Sequence, residues 1–162
     1  VRHTAAMNNK QRGYSLMELI VVMAIVLALS SAGLHGWRQW QQHQRLVQSS
    51  RLLLAWLQVQ RDEANAFNRD SLIMVVREGT RWCLSSDAAQ PDACRAGGRR
   101  VWQSQWPDIT LAEITTGLTF FGLRNTARPG RITLENPSGR WRAVISVWGR
   151  VRLCQVGEPG CQ

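Results

Sequence analysis

Arg12-Gly13-Tyr14-Ser15-Leu16-Met17-Glu18-Leu19-Ile20-Val21-Val22-Met23 is the stretch on which the fold turns. From Leu19 to Leu34 (LIVVMAIVLALSSAGL) there is no charge, and from Tyr14 to Leu34 the single interruption is Glu18. As a helix those residues would be about 31 Å long, enough to cross the hydrocarbon core of a bilayer. Arg2, Lys10 and Arg12 precede the run, and Arg38, Arg45 and Arg51 follow it. Flanking charge therefore leaves the orientation nearly balanced.

Two readings of this segment compete. An ordinary secretory signal would use Leu19–Leu29 as its apolar region and the small residues Ser30-Ser31-Ala32 before the cut. Its product would be a soluble periplasmic protein starting at Gly33. Glu18 argues against it, because a carboxylate at the start of such a region costs insertion energy for no return. The favoured reading takes Lys10-Gln11-Arg12, Gly13 and Tyr14-Ser15-Leu16-Met17-Glu18 as one unit. Cutting after Gly13 exposes an α-amine four residues before Glu18. Both groups would lie near the membrane face, where a carboxylate needs a cationic partner from its own chain or a neighbour. Glu18 then registers one helix against the next. Met7 is a candidate true start, giving the leader MNNKQRG.

Outward from this helix the composition is that of one domain: 162 residues and 18.3 kDa, with 44% hydrophobic and 19% charged residues. Twenty Lys+Arg oppose eleven Asp+Glu for a net charge of +9, and Lys10 is the only lysine. A pI near 11.1 fits anionic partners, nucleic acid or phospholipid head groups. The histidines are His3, His35 and His43, so the part downstream of them has no imidazole for base or metal chemistry. That disfavours hydrolase triads and zinc sites, and no cofactor, metal or enzymatic role is expected.

Cys83, Cys94, Cys154 and Cys161 form no C-x-x-C pair. They read as two structural disulfides of an oxidising compartment. Three connectivities are open, and short loops favour Cys83–Cys94 and Cys154–Cys161, each worth roughly 2–3 kcal/mol.

Beyond the apolar run, Leu46, Ser50, Leu53, Leu57 and Ala64 recur at helical spacing, flanked by Val47, Leu54 and Arg61. The pattern predicts one helix from about 15 to about 67, with its stripe packed on the chain's own sheet. From Ser71 the pattern changes to short strands: Leu72–Arg77, Arg81–Ser85, Val101–Gln105, Leu118–Phe121, Ile132–Glu135, Arg142–Val147 and Val151–Gln155. The expected class is α+β, pilin-like: a long N-terminal helix packed on a C-terminal antiparallel sheet or small sandwich. The divisions are a leader at 1–13, a membrane half of the helix at 14–36, an amphipathic half at 37–69 and a β-rich head at 70–162. Residues 86–100 read as a surface loop. Trp56, Trp82 and Trp148 are expected to pack in the core, and Trp37 and Trp40 to anchor at the interface.

The stretch R-G-Y-S-L-M-E-L-I-V-V-M resembles the processing signal of type IV prepilins and type II secretion pseudopilins. SLIMVVREGTRWCLS, FFGLRNTARPGRITLENPSGRW and the WGRVRLC ending look like the minor pilins of the GspH/FimT group. The resemblance implies that a prepilin peptidase cuts after Gly13 and N-methylates Tyr14, with Glu18 as the assembly glutamate; Tyr stands where Phe is usual. It also implies an inner-membrane subunit with a periplasmic head. Its partners would be other minor subunits and a major pilin, in assembly that it initiates or caps. After Glu135 the only acid is Glu158, so the aspartate cluster that major pseudopilins use for calcium is missing.

Residues 35–162 keep 17 basic and 10 acidic side chains, a net +7. Arg140, Arg142, Arg150 and Arg152 fall at spacings of two, so on adjacent strands each pair would share a face. Guanidinium forks suit phosphate. Gly149-Arg150-Val151-Arg152 resembles the G-R-x-R motif of DNA-binding pilins, which makes double-stranded DNA a second candidate partner. Arg124, Arg128 and Arg131 would help. The competing reading of the stripe is a solvated face that blocks edge-to-edge association.

Overall fold

The computed structural model describes residues 15–86 and 93–161. Its elements are a helix α1 (Leu16–Phe67), strands β1 (Ser71–Leu72), β2 (Met74–Glu78) and β3 (Arg81–Ser85), and a short helix α2 (Ala93–Ala96). There follow β4 (Val101–Trp102), β5 (Thr110–Ile114), β6 (Thr119–Phe121), β7 (Thr126–Ala127), β8 (Gly130–Asn136), β9 (Gly139–Ile145) and β10 (Val151–Gln155). The chain divides into two compact units, Val1–Arg38 and Gln39–Gln162.

In the second unit the α1 stripe is buried as its spacing predicts. Leu46, Ser50, Leu53, Leu57 and Ala64 are all sealed from solvent, joined by Ser49, Trp56 and Gln60. They meet Ile73, Leu84, Trp102, Ile109, Leu118, Phe120, Ile132, Leu134, Ala143 and Ile145 in one core. The polar members of the stripe are satisfied locally. Ser50 Oγ donates to Leu46 O at 2.9 Å, and Trp56 Nε1 and Gln60 Nε2 both donate to Arg99 O, at 3.0 and 2.9 Å. Burial of these groups is thereby tolerated.

The helix stops because Asn68 turns left-handed, with φ of 50°. Asn68 N then bonds Asn65 O, and Arg69 N bonds Ala64 O at 3.0 Å, which satisfies the last carbonyls. Gly122 lies directly on this cap. Its N–H donates to Asp70 Oδ1 at 3.2 Å, and a Cβ placed there would strike Ala64 O and come within 2.6 Å of Arg69 N.

Three antiparallel sheets face the helix, with strand orders β1-β6-β7, β10-β9-β8-β5 and β2-β3-β4. Among the described residues ten strands replace the seven expected. β5 is not among the expected strands: its register shifts between Leu111 and Glu113, and a bulge breaks the alternation. β7 has only two residues. Within 86–100, the expected loop, the described residues include α2. Cys83–Cys94 fastens α2 to β3, and Cys154–Cys161 folds the C-terminal segment back on β10.

Trp56 is buried and Trp82 half-buried, its ring 5.9 Å from that of Trp102. Trp148 corrects the expectation: it is 78% exposed. It sits in the turn between β9 and β10, where the strand alternation that would have pointed it inward has ended.

Candidate functional site

Two features stand out from the residues upward. The first is the N-terminal part of α1. Every described side chain from Ser15 to Ser31 is exposed, including the large apolar residues from Leu16 to Leu29. A helix that is apolar all round is stable only when something other than water surrounds it. Its window is apolar enough to cross a membrane. Glu18, in the first turn, is the one carboxylate there and has no ion-pair partner among the described residues. Gly13 and Tyr14, the expected cleavage and methylation positions, lie outside the described residues.

The second feature is the outer face of the four-stranded sheet. On β9 Ala143 and Ile145 are buried, which turns Arg140, Arg142 and Val144 away from the core. On β10 Val151 is buried, so Arg152 and Cys154 share that outer face. The register pairs Arg152 with Val144 and Cys154 with Arg142. Arg140 therefore lies toward the β8–β9 turn and Arg150 toward the β9–β10 turn, while Arg142 and Arg152 are diagonal neighbours on the outer face.

Their electrostatics differ as well. Arg142 is only 15% exposed; it donates to Thr133 Oγ1 at 3.1 Å, Cys161 O at 3.1 Å and Glu113 Oε2 at 3.2 Å. Glu113 also binds Arg131 at 2.7 Å, and Arg140 pairs with Glu135 at 3.1 Å. These arginines hold the sheet and the C-terminal segment together. Arg150 and Arg152 are exposed, and neither has a carboxylate partner among the described residues; the same holds for Arg124 and Arg128. Sequence spacing could not separate the two pairs, because Glu113 reaches Arg142 across 29 positions.

The turn that carries Arg150 is tightly fixed. Gly149 has φ of 69°, a conformation glycine adopts without strain. Gly149 N donates to Ser146 O at 2.9 Å and Ser146 N to Arg150 O at 3.0 Å. Arg61 of α1 reaches Gly149 O at 3.4 Å, and Ala127 N bonds Val147 O at 2.7 Å. Among the described residues no group of His, Cys, Asp and Glu gathers to hold a metal.

Comparison with known proteins finds a prokaryotic N-terminal methylation motif at residues 8–34. The model of the type II transport protein GspH matches residues 49–149. No curated protein matches the chain. Among solved structures, the minor pseudopilin EpsH from the type 2 secretion system of Vibrio cholerae is similar at a TM-score of 0.50 and 16% identity. The match covers 70% of this chain and 99% of that one. At that identity the likeness speaks for the fold, a pilin-like helix on antiparallel sheets. The methylation motif and the match across most of the head together carry the conclusion: this chain belongs to the GspH family of type II transport proteins, pilin-like in fold.

Proposed function

We propose that the chain is a minor, structural subunit that initiates or caps assembly of a type II secretion pseudopilus or a type IV pilus. The observation that carries this reading is Glu18, a carboxylate with no ion-pair partner among the described residues, at the start of a helix that is apolar and exposed. In this account prepilin peptidase removes residues 1–13 and methylates Tyr14. Residues 14–36 then wait in the inner membrane with the head in the periplasm. The new α-amine lies four residues before Glu18, hence on the same helix face. Each helix thus presents a cation and an anion that a neighbouring helix, staggered along the bundle, can neutralise. In a medium of low dielectric such a pair sets the register, because any other stagger leaves a charge uncompensated.

The initiation role predicts a particular phenotype. Removing this protein at constant major-subunit level should cut the number of filaments per cell several-fold while leaving their length distribution unchanged, as counted by electron microscopy. Unchanged filament numbers would remove the role.

A second reading, capture of DNA by the head, is supported by the exposed Arg150, Arg152, Arg124 and Arg128, which lack carboxylate partners among the described residues. Arg142 is enclosed by its bonds to Glu113, Thr133 and Cys161, whereas Arg140, paired with Glu135, stays largely exposed. Such binding would be independent of sequence and weaken steeply with salt.

A further inference from the structure

We propose that the β9–β10 turn takes single-stranded nucleic acid, with Trp148 stacking on an unpaired base and Arg150 and Arg152 holding the phosphates on either side of it. The inference rests on the nucleic-acid reading above and specifies its ligand. It starts from Trp148, which leaves 78% of its surface in water beside the half-exposed Val147. Trp56 and Trp102, by contrast, are drawn into the core.

The turn is not a loose loop. Gly149 lies buried against Arg61 of α1, and Val147 O is held by Ala127 of β7. A large aromatic surface presented on a fixed turn loses little conformational freedom on binding. Immediately after it, Arg150 and Arg152 are both exposed on either side of the buried Val151. Planar guanidinium groups can clasp phosphate or stack on bases, and the net +7 of residues 35–162 attracts polyanions. A duplex buries the faces of its bases and offers Trp148 nothing to stack on. A single strand offers base face and phosphate together, in the combination of aromatic platform and basic track that such strands require.

The test uses the full-length protein in detergent micelles, titrated with a labelled thymine oligonucleotide and with a labelled duplex of equal length at two salt concentrations. The oligonucleotide is expected to bind about tenfold tighter than the duplex, from one stacked base. Trp148→Ala should erase that preference and leave the salt-dependent duplex binding in place, and Trp148→Phe should restore part of it. Arg150→Gln/Arg152→Gln should weaken both ligands. Equal affinities that Trp148→Ala does not change would overturn the stacking proposal while sparing the duplex reading. Absence of salt-dependent binding to either ligand would overturn both. Competition by poly-L-glutamate as effective as by the oligonucleotide would also overturn it, in favour of an acidic protein partner.

Discussion

Glu18→Ala is expected to leave cleavage after Gly13 intact and to lower the amount of this subunit recovered in sheared filaments by more than tenfold. Assembly and membrane insertion respond to this change in opposite directions. A carboxylate within an apolar helix costs insertion energy, so its removal makes the helix easier to place in the bilayer, not harder. Loss of filament entry therefore cannot be assigned to failed insertion. On the proposed role, the variant lacks the anion that would neutralise a neighbour's N-terminal cation, and with it the preference for one stagger over others. Glu18→Gln sharpens the test, since it keeps the shape and hydrogen-bonding capacity and discards the charge. It should behave like the alanine variant. Recovery of either variant in filaments at the normal level would contradict the role given to Glu18.

Gly122→Ala should destabilise the head by about 3 kcal/mol or more, the upper part of the range for overpacking. A Cβ at Gly122 meets backbone rather than side chain: Ala64 O, Arg69 N at 2.6 Å and the Asn68 carbonyl carbon at 2.8 Å. Backbone in a helix cap cannot rotate aside as a long side chain can. Relief requires moving the strand from the helix end, which breaks the Gly122 N–H bond to Asp70 and disturbs the cap at Asn68. Thermal unfolding should fall by roughly 10 °C. Leu123→Ala is the control. Leu123 is the next residue and 82% exposed, so its loss should change stability by less than about 0.5 kcal/mol. If the two variants melted together, the packing argument at Gly122 would fail.

How far the sequence reveals this molecule depends on the range of the interactions involved. The helix is legible because its evidence is local. An uninterrupted apolar run needs no partner to be recognised, and the stripe from Leu46 to Ala64 repeats on its own helix. Strands β3 and β10 are legible for the same reason, since turn residues bracket short runs with apolar residues at Arg81–Ser85 and Val151–Gln155. β5 is not, because the bulge at Leu111–Glu113 removes the alternation that marks a strand. Trp148 was expected inside because tryptophans bury large areas, but a turn residue has no strand face to be assigned to. The arginines show the limit most clearly. Arg142 and Arg152 have the same neighbours in kind and the same spacing from a second arginine. Only the fold brings Glu113 and the Cys161 carbonyl to one and leaves the other exposed. Gly122 gives no sequence signal either. Its φ is ordinary, and its requirement comes from a helix end more than fifty residues earlier.

We propose a processed, membrane-anchored assembly subunit. The measurement that tests it most directly is mass spectrometry of the N-terminal peptide of the protein recovered from the membrane fraction. The account predicts a peptide that begins at Tyr14 and carries one methyl group on its α-amine. A mature start at Gly33, or an uncut chain retaining residues upstream of Tyr14, would contradict it.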